Sequence, residues 1–253
     1  MNRPQRNRFA RLVLLSALIA ALMIPAAQAQ EKQALIDELV GKYHGYAQFN
    51  GTVLVAEQGR VIFKKGYGEA NKEWNIPNTP DTKFRLGSIT KQFTATIILQ
   101  LAEQGKLRLD GKITEYLPDY PGATGDKVTI SHLLTHSSGI RGYTELPNFG
   151  KDLSRNPFTP AEFLKVFWNL PLQFEPGTKF SYSNSGYFIL GVIIEKLTSK
   201  SYAQVVDENI FKPLGMTNSG YDMPGPILPK RAAVYQKRGS EFVNAAYLDM
   251  TVP

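Results

Sequence analysis

The chain has 253 residues, with 29 basic against 22 acidic side chains, no cysteine and three histidines. Without cysteine there are no disulfides or thiolate metal sites, and three histidines with no carboxylate motif beside them argue against zinc, so no metal and no cofactor is assigned. Four arginines and no acids fall in residues 1–29, leaving 25 basic against 22 acidic residues beyond them, a balance that does not suggest a nucleic-acid surface.

Residues 1–29 read as a signal peptide. Arg3, Arg6, Arg8 and Arg11 form a basic start, 12–24 an apolar run, and Ala27-Gln28-Ala29 a small-x-small cleavage pattern. The competing reading is a membrane anchor, but the run is short for a span, and Pro25 with the small residues after it favours cleavage. A mature chain from Gln30, periplasmic or secreted and with no stable membrane span, is the expectation. The absence of a cysteine after the run excludes a lipid anchor. About 224 residues then remain, enough to bury a core as one large domain or two intertwined regions.

Within that domain, 30–72 is expected to supply a sheet-side helix and a hairpin, and 84–230 a mainly helical region. Residues 31–46 place Leu35, Ile36, Leu39 and Val40 on one helical face. Residues 52–56 and 60–67 are rich in β-branched and aromatic side chains around a Glu57-Gln58-Gly59 turn, which predicts a hairpin. The Lys64-Lys65 doublet reads as a solvated strand end. Residues 72–84 have no periodicity and two prolines, and predict a loop. From Ser88 a helix runs to Gly105, with Phe93, Ile97, Ile98 and Leu101 at helical spacing. Residues 106–122 are turn-rich. A short helix at 130–136 has Thr129 as its cap and carries His132 and His136, which are expected to cap its end and bond to neighbouring loops. Thr159, Pro160 and Glu162 open a further helix with a capping box, and Phe163, Val166 and Phe167 supply its core face. Helices follow from Asn184 or Ser185 and over 201–210. Mild strand character closes the sequence at 232–243.

Two short patterns carry candidate chemistry. Ser88 and Lys91 are three apart, so they share one face of a first helical turn. A serine nucleophile needs a base, and a lysine serves only where burial or a neighbouring cation lowers its proton affinity. A helix N-terminus also offers N–H groups to a developing oxyanion. In a chain of this length one S-x-x-K is expected by chance, so the motif alone does not establish catalysis. Tyr182 and Asn184 are separated by one residue in an extended segment, so both point the same way. A tyrosine beside a lysine can share its proton, and an asparagine offers a donor and an acceptor to an amide. On spacing alone, an ordinary loop with an Asn cap explains them more simply.

Together, the stretches GTVLVAEQGRVIFKKGYGEAN, FRLGSITKQFTA, KITEYLPDYP, VTISHLLTHSSGI, FEPGTKFSYSNSGY and IFKPLGMTNSGY resemble the serine β-lactamase and DD-peptidase superfamily, on its class C β-lactamase and esterase-like branch. The resemblance spans nearly all of 49–221. It implies an α+β fold, an antiparallel sheet flanked by helices plus an all-helical region. It further implies an exported serine hydrolase acting on a β-lactam, a D-alanyl peptide or an ester. Ser88 is then the acylated nucleophile, Lys91 and Tyr182 a coupled proton-transfer pair, and Asn184 a contact to Lys91 and the substrate amide. The family's third motif, K-T-G or a histidine variant, is not found after Tyr182, and the expected C-terminal strands and closing helix are missing. The expectation is a truncated product. A non-catalytic module binding peptidoglycan stems or β-lactams, or an inactive fragment, is the alternative. Oligomeric state is left open.

Overall fold

The computed structural model describes residues 30–223, 225–239 and 241–251, and the expected leader at 1–29 lies outside them. The fold is α+β, and its contacts divide it into two compact units, one within residues 1–84 and 228–237 and the other within 85–227 and 238–253. No helix among the described residues is long and apolar enough to cross a membrane.

The first unit is built on a hairpin. Strands β1 (Gly51–Glu57) and β2 (Arg60–Tyr67) pair antiparallel with Glu57 opposite Arg60. The turn is therefore only Gln58-Gly59, both at positive φ (51° and 75°), the conformation that matches the twist of a two-residue hairpin. Val55 lies opposite Phe63 and Ala56 opposite Val61, so Ile62 is the extra residue of a β-bulge. The predicted loop at 72–84 contains a short strand, β4 (Ile76–Pro77), paired with β3 (Glu69–Asn71). Residues 228–237 come back onto this loop. The N–H of Ala232 donates to the Lys83 carbonyl at 2.9 Å, and that of Ala233 donates to the Ala70 carbonyl at 2.8 Å.

Helix α1 (30–45) belongs to the same unit. Its Asp37 accepts from Lys65 Nζ at 2.7 Å and from the Tyr67 hydroxyl at 2.6 Å. The Lys65 hydrogen bond holds the Asp37 carboxyl below its usual value. Lys65 is thus solvated, as expected, and is also a partner for α1 within β2. The expected apolar face is only partly covered: Ile36 and Val40 are half-buried, whereas Leu35 and Leu39 remain 59% and 57% exposed. A two-stranded hairpin is narrower than the stripe such a helix presents, so among the described residues half of the stripe is left uncovered.

The second unit is mainly helical. A 3-10 turn (Gly87–Thr90) leads into α2 (Lys91–Glu103), and the expected turn-rich stretch folds two short helices, α3 (Ile113–Tyr116) and α4 (Gly122–Gly125). Next come α5 (Ile130–Leu134), α6 (Pro160–Lys165) and α7 (Asn184–Thr198). Helix α8 (Tyr202–Val206) passes into a π-helical turn at Asp207–Phe211. The C-terminal strand character appears as β5 (Tyr235–Arg238), most of which belongs to the first unit, and β6 (Glu241–Asn244), which belongs to the second.

Helix α7 is the centre of this unit and packs against α2, α3, α5, α6 and α8. Ile189, Leu190, Ile193 and Ile194 are shut off from water, as are Ile97 and Ile98 of α2 and Phe163 of α6. Edge-to-face contacts of Phe163 with Tyr143 (4.9 Å) and Phe188 (5.0 Å) extend this core. The Thr94 and Tyr202 hydroxyls meet at 2.8 Å and tie α2 to α8. Helix α6 starts where the sequence predicts: the Thr159 hydroxyl accepts from the Glu162 N–H at 3.3 Å, and Glu162 accepts from the Thr159 N–H at 2.9 Å.

Urea unfolding measures both kinds of contribution. Leu190→Ala should lose about 2–5 kcal/mol, as expected for a large-to-small change in a fully buried position. Thr159→Ala should lose about 1 kcal/mol through the cap alone.

Candidate active site

The four sequence candidates come together at the start of two packed helices. Ser88 is exposed in the 3-10 turn, and Lys91 is the half-buried first residue of α2. The α-helix therefore begins at Lys91 and not at Ser88 as the periodicity implied. A tighter opening turn of this kind is common at helix N-termini. Lys91 Nζ lies 3.4 Å from Ser88 Oγ, so the three-residue spacing still puts both groups on one face.

Tyr182 and Asn184 arrive on the segment that enters α7. Ser183 is extended (φ −135°, ψ 116°) and caps the helix, its hydroxyl accepting from the Gly186 N–H at 3.2 Å. An extended Ser183 turns both its neighbours to the same side, and the packing of α7 on α2 brings that side to Ser88 and Lys91. The Tyr182 hydroxyl donates to Ser88 Oγ at 2.6 Å, and Lys91 Nζ donates to Asn184 Oδ1 at 2.7 Å. Lys91 Nζ also lies 4.9 Å from the centroid of the Tyr182 ring and 5.4 Å from that of Tyr187. Burial pushes the Tyr182 phenol up, but hydrogen bonding to Lys91 and Ser88 and the Lys91 charge outweigh it. The phenol is held below the ordinary tyrosine value.

Residues missed by the sequence reading hold this arrangement in place. Asn184 Nδ2 donates to Thr144 Oγ1 at 3.2 Å, and the Tyr143 N–H donates to the buried Ser185 Oγ at 2.9 Å. With Lys91 on its oxygen and Thr144 on its nitrogen, the Asn184 amide has one orientation. No local pattern marks Thr144, because its partner is 40 residues away.

The histidines divide. His132 Nδ1 accepts from the Thr129 N–H at 3.3 Å, so it closes a capping box at the start of α5 and not at its end. His136 bonds a neighbouring loop, as expected, since its Nδ1 accepts from the Ser183 N–H at 3.1 Å. Its ring also lies against Tyr182, with centroids 4.4 Å apart and planes 33° from parallel. Residues 136–139 form a shelf for the segment leading to α7. The carbonyls of His136, Ser137 and Gly139 each accept at 2.8 Å, from the N–H groups of Ser181, Gly177 and Gln173 respectively. Gly139 sits at φ 73°, and a Cβ there would lie 2.3 Å from the Phe174 carbonyl oxygen. Gly139→Ala should therefore lower the melting temperature and slow any reaction at Ser88, because it displaces the segment carrying Tyr182 and Asn184. Calorimetry and Ser88 labelling on the same sample check both effects.

Comparison with known proteins gives the family. The Beta-lactamase family model matches residues 19–252. The chain is 32% identical over 228 residues to the putative penicillin-binding protein PbpX of Bacillus subtilis (strain 168), covering 89% of this chain and 56% of the relative. It is 35% identical over 181 residues to esterase EstB of Burkholderia gladioli, covering 66% and 46%. A solved class C β-lactamase in complex with cefoxitin aligns with TM-score 0.73 at 26% identity, covering 88% of this chain and 60% of that one. The chain thus spans about half the length of these curated relatives. A family match over nearly the whole sequence shows that this chain belongs to the Beta-lactamase family, within the superfamily of serine β-lactamases and DD-peptidases.

Proposed function

We propose that the protein is an exported serine hydrolase that works through an acyl-enzyme on Ser88, with a β-lactam, a D-alanyl peptide or an ester as substrate. The observation carrying this reading is the Tyr182 hydroxyl 2.6 Å from Ser88 Oγ, with Lys91 between Ser88 and Asn184. Serine acylation needs a route for the hydroxyl proton, and this cluster offers one.

In the proposed reaction Ser88 Oγ attacks the substrate carbonyl and its proton passes to the Lys91–Tyr182 pair. In the arrangement described, the phenol donates to Ser88. Once the phenol is ionised, the same 2.6 Å line carries the Ser88 proton the other way. The lowered phenol favours that ionisation. The pair is treated as one unit, since protons on strongly coupled groups belong to both. The Ser88 N–H serves as one oxyanion donor. The leaving group departs with the proton held by the pair; water then attacks the acyl–Ser88 ester, the pair takes its proton and returns it to Ser88 Oγ as the ester bond breaks, which releases the acid and restores the starting cluster. Asn184, held by Lys91 and Thr144, keeps its second amide hydrogen for the substrate amide or lactam carbonyl. The names of the relatives, a penicillin-binding protein, an esterase and a β-lactamase, support the β-lactam and ester classes.

Mass spectrometry after incubation with a penicillin or a fluorophosphonate tests the nucleophile. The expected outcome is an adduct on Ser88 that Ser88→Ala abolishes and that Tyr182→Phe or Lys91→Ala slows by about 10²–10⁴-fold. No adduct on the parent chain would replace this reading with a binding module or an inactive fragment. Turnover of a chromogenic cephalosporin against a short nitrophenyl ester separates lactam from ester chemistry. The basic start, apolar run and Ala-x-Ala pattern of the first 29 residues support export. N-terminal sequencing of protein from whole cells should find Gln30 first, and an intact Met1 would overturn export with cleavage.

A further inference from the structure

The proton route proposed above ends in a tyrosine that is 43% exposed, and a phenol on an exposed loop does not stay within 2.6 Å of a partner unless something fixes its ring. The hydrogen bond to Ser88 acts on the hydroxyl end only. The ring needs a surface, and His136 supplies one. The two centroids are 4.4 Å apart at 33°, and the other neighbours of the imidazole are Tyr187 (5.0 Å, 36°) and the edge of Phe180 (5.8 Å, 82°). His136 is therefore one plate in an aromatic stack between the loop and α7.

The imidazole is itself fixed at three points. Its backbone is in the left-handed region at φ 55°, its carbonyl accepts from the Ser181 N–H at 2.8 Å, and its Nδ1 accepts from the Ser183 N–H at 3.1 Å. Ser181 and Ser183 are the two residues flanking Tyr182. One residue thus grips the chain on both sides of the tyrosine, through its backbone carbonyl at Ser181 and its imidazole at Ser183, and its ring rests against that of Tyr182 at a 33° tilt. The Ser183 bond also fixes the tautomer, because a nitrogen that accepts from a backbone N–H carries no proton. Burial, and after it the Lys91 charge, press the imidazole the same way, toward the neutral form. The titratable groups around it are Lys91 of α2, Tyr182 of the entering loop and Tyr187 of α7, and among the described residues none of these contacts is a carboxylate.

We propose that His136 is a positioning residue for Tyr182, a neutral imidazole plate that holds the phenol at Ser88 and Lys91. Its catalytic meaning rests on the Ser88 acyl-enzyme reading, whereas the support it gives the Tyr182 ring does not. An aromatic ring with a backbone acceptor at its Nδ1 position does two jobs, and they can be separated. Asparagine tolerates positive φ and places its amide oxygen near the position of Nδ1, so His136→Asn keeps the loop grip and removes the plate. His136→Phe keeps a plate, loses the acceptor and is strained at φ 55°.

The test uses the full chain and reads Tyr182 directly. Ultraviolet titration of each protein against its own Tyr182→Phe partner isolates this phenol from the other 11 tyrosines of the 12 in the chain. Labelling of Ser88 by a fluorophosphonate is timed on the same samples, each held below its own melting transition. His136→Asn is expected to melt near the parent, to raise the Tyr182 titration toward the ordinary tyrosine range, and to slow labelling by about tenfold. His136→Phe is expected to melt lower but to keep the Tyr182 titration at the parental position. An unchanged titration and labelling rate in His136→Asn overturns the proposal, as does an equal shift in both variants. A parent that never labels refutes the Ser88 reading alone, and the phenol titration then decides for or against His136.

Discussion

The burial of α7 governs everything else in the mainly helical unit. Ile189, Leu190, Ile193 and Ile194 have no exposed surface, and α2, α3, α5, α6 and α8 all lean on this one helix. A helix enclosed in this way cannot slide along its axis without opening cavities in several interfaces at once. Its first turn is consequently a fixed point, and that turn holds Asn184, with Tyr182 two residues earlier across the Ser183 cap. Helix α2 packs on the same rod, so the distance from Ser88 to Tyr182 is set by apolar contacts a turn or more away from either hydroxyl. The polar geometry is downstream of the core.

A second layer refines what the core sets. Apolar packing places a helix end to within an ångström or so, but it does not choose a side-chain rotamer or the orientation of an amide. Here those choices are made by hydrogen bonds from two loops. The 136–139 shelf takes N–H groups from residues 173, 177, 181 and 183, and the 143–144 turn reaches Asn184 and Ser185. Both loops are held at their far sides by buried residues, Ile140 and Tyr143 among them. The site is thus supported from the interior outward, which suits a reaction that needs sub-ångström placement of polar atoms.

Much of this was legible in the sequence because it depends on local period. The i, i+3 pair Ser88 and Lys91 stayed together even though the helix begins three residues later, since a 3-10 turn also brings such positions to one side. The extended Ser183 turned Tyr182 and Asn184 the same way, as alternation requires. Thr159 capped α6 through the expected box. Features that depend on distant partners were not legible. His136 has a left-handed backbone and its stacking partner is 46 residues away; Thr144 meets an asparagine 40 residues on. The α1 face was misjudged for a related reason. Periodicity reports that a stripe is apolar, and whether a surface exists to cover Leu35 and Leu39 is a property of the sheet, not of the helix.

The hydrogen-bond partners of Lys91 are an amide oxygen and a hydroxyl, and the rings nearest its ammonium are phenols. None of these is a carboxylate. A lysine tied to a carboxylate is fastened in its charged state, and moving its proton would strand an anion. In a cluster made of one amine, one alcohol and one phenol, a proton passed among the three changes where the charge lies but never its sum. Ionic strength then acts on two events unequally. It screens the approach of a charged solute from solution, whereas a proton exchange inside the cluster would span distances well within a Debye length of about 8 Å and be scarcely touched.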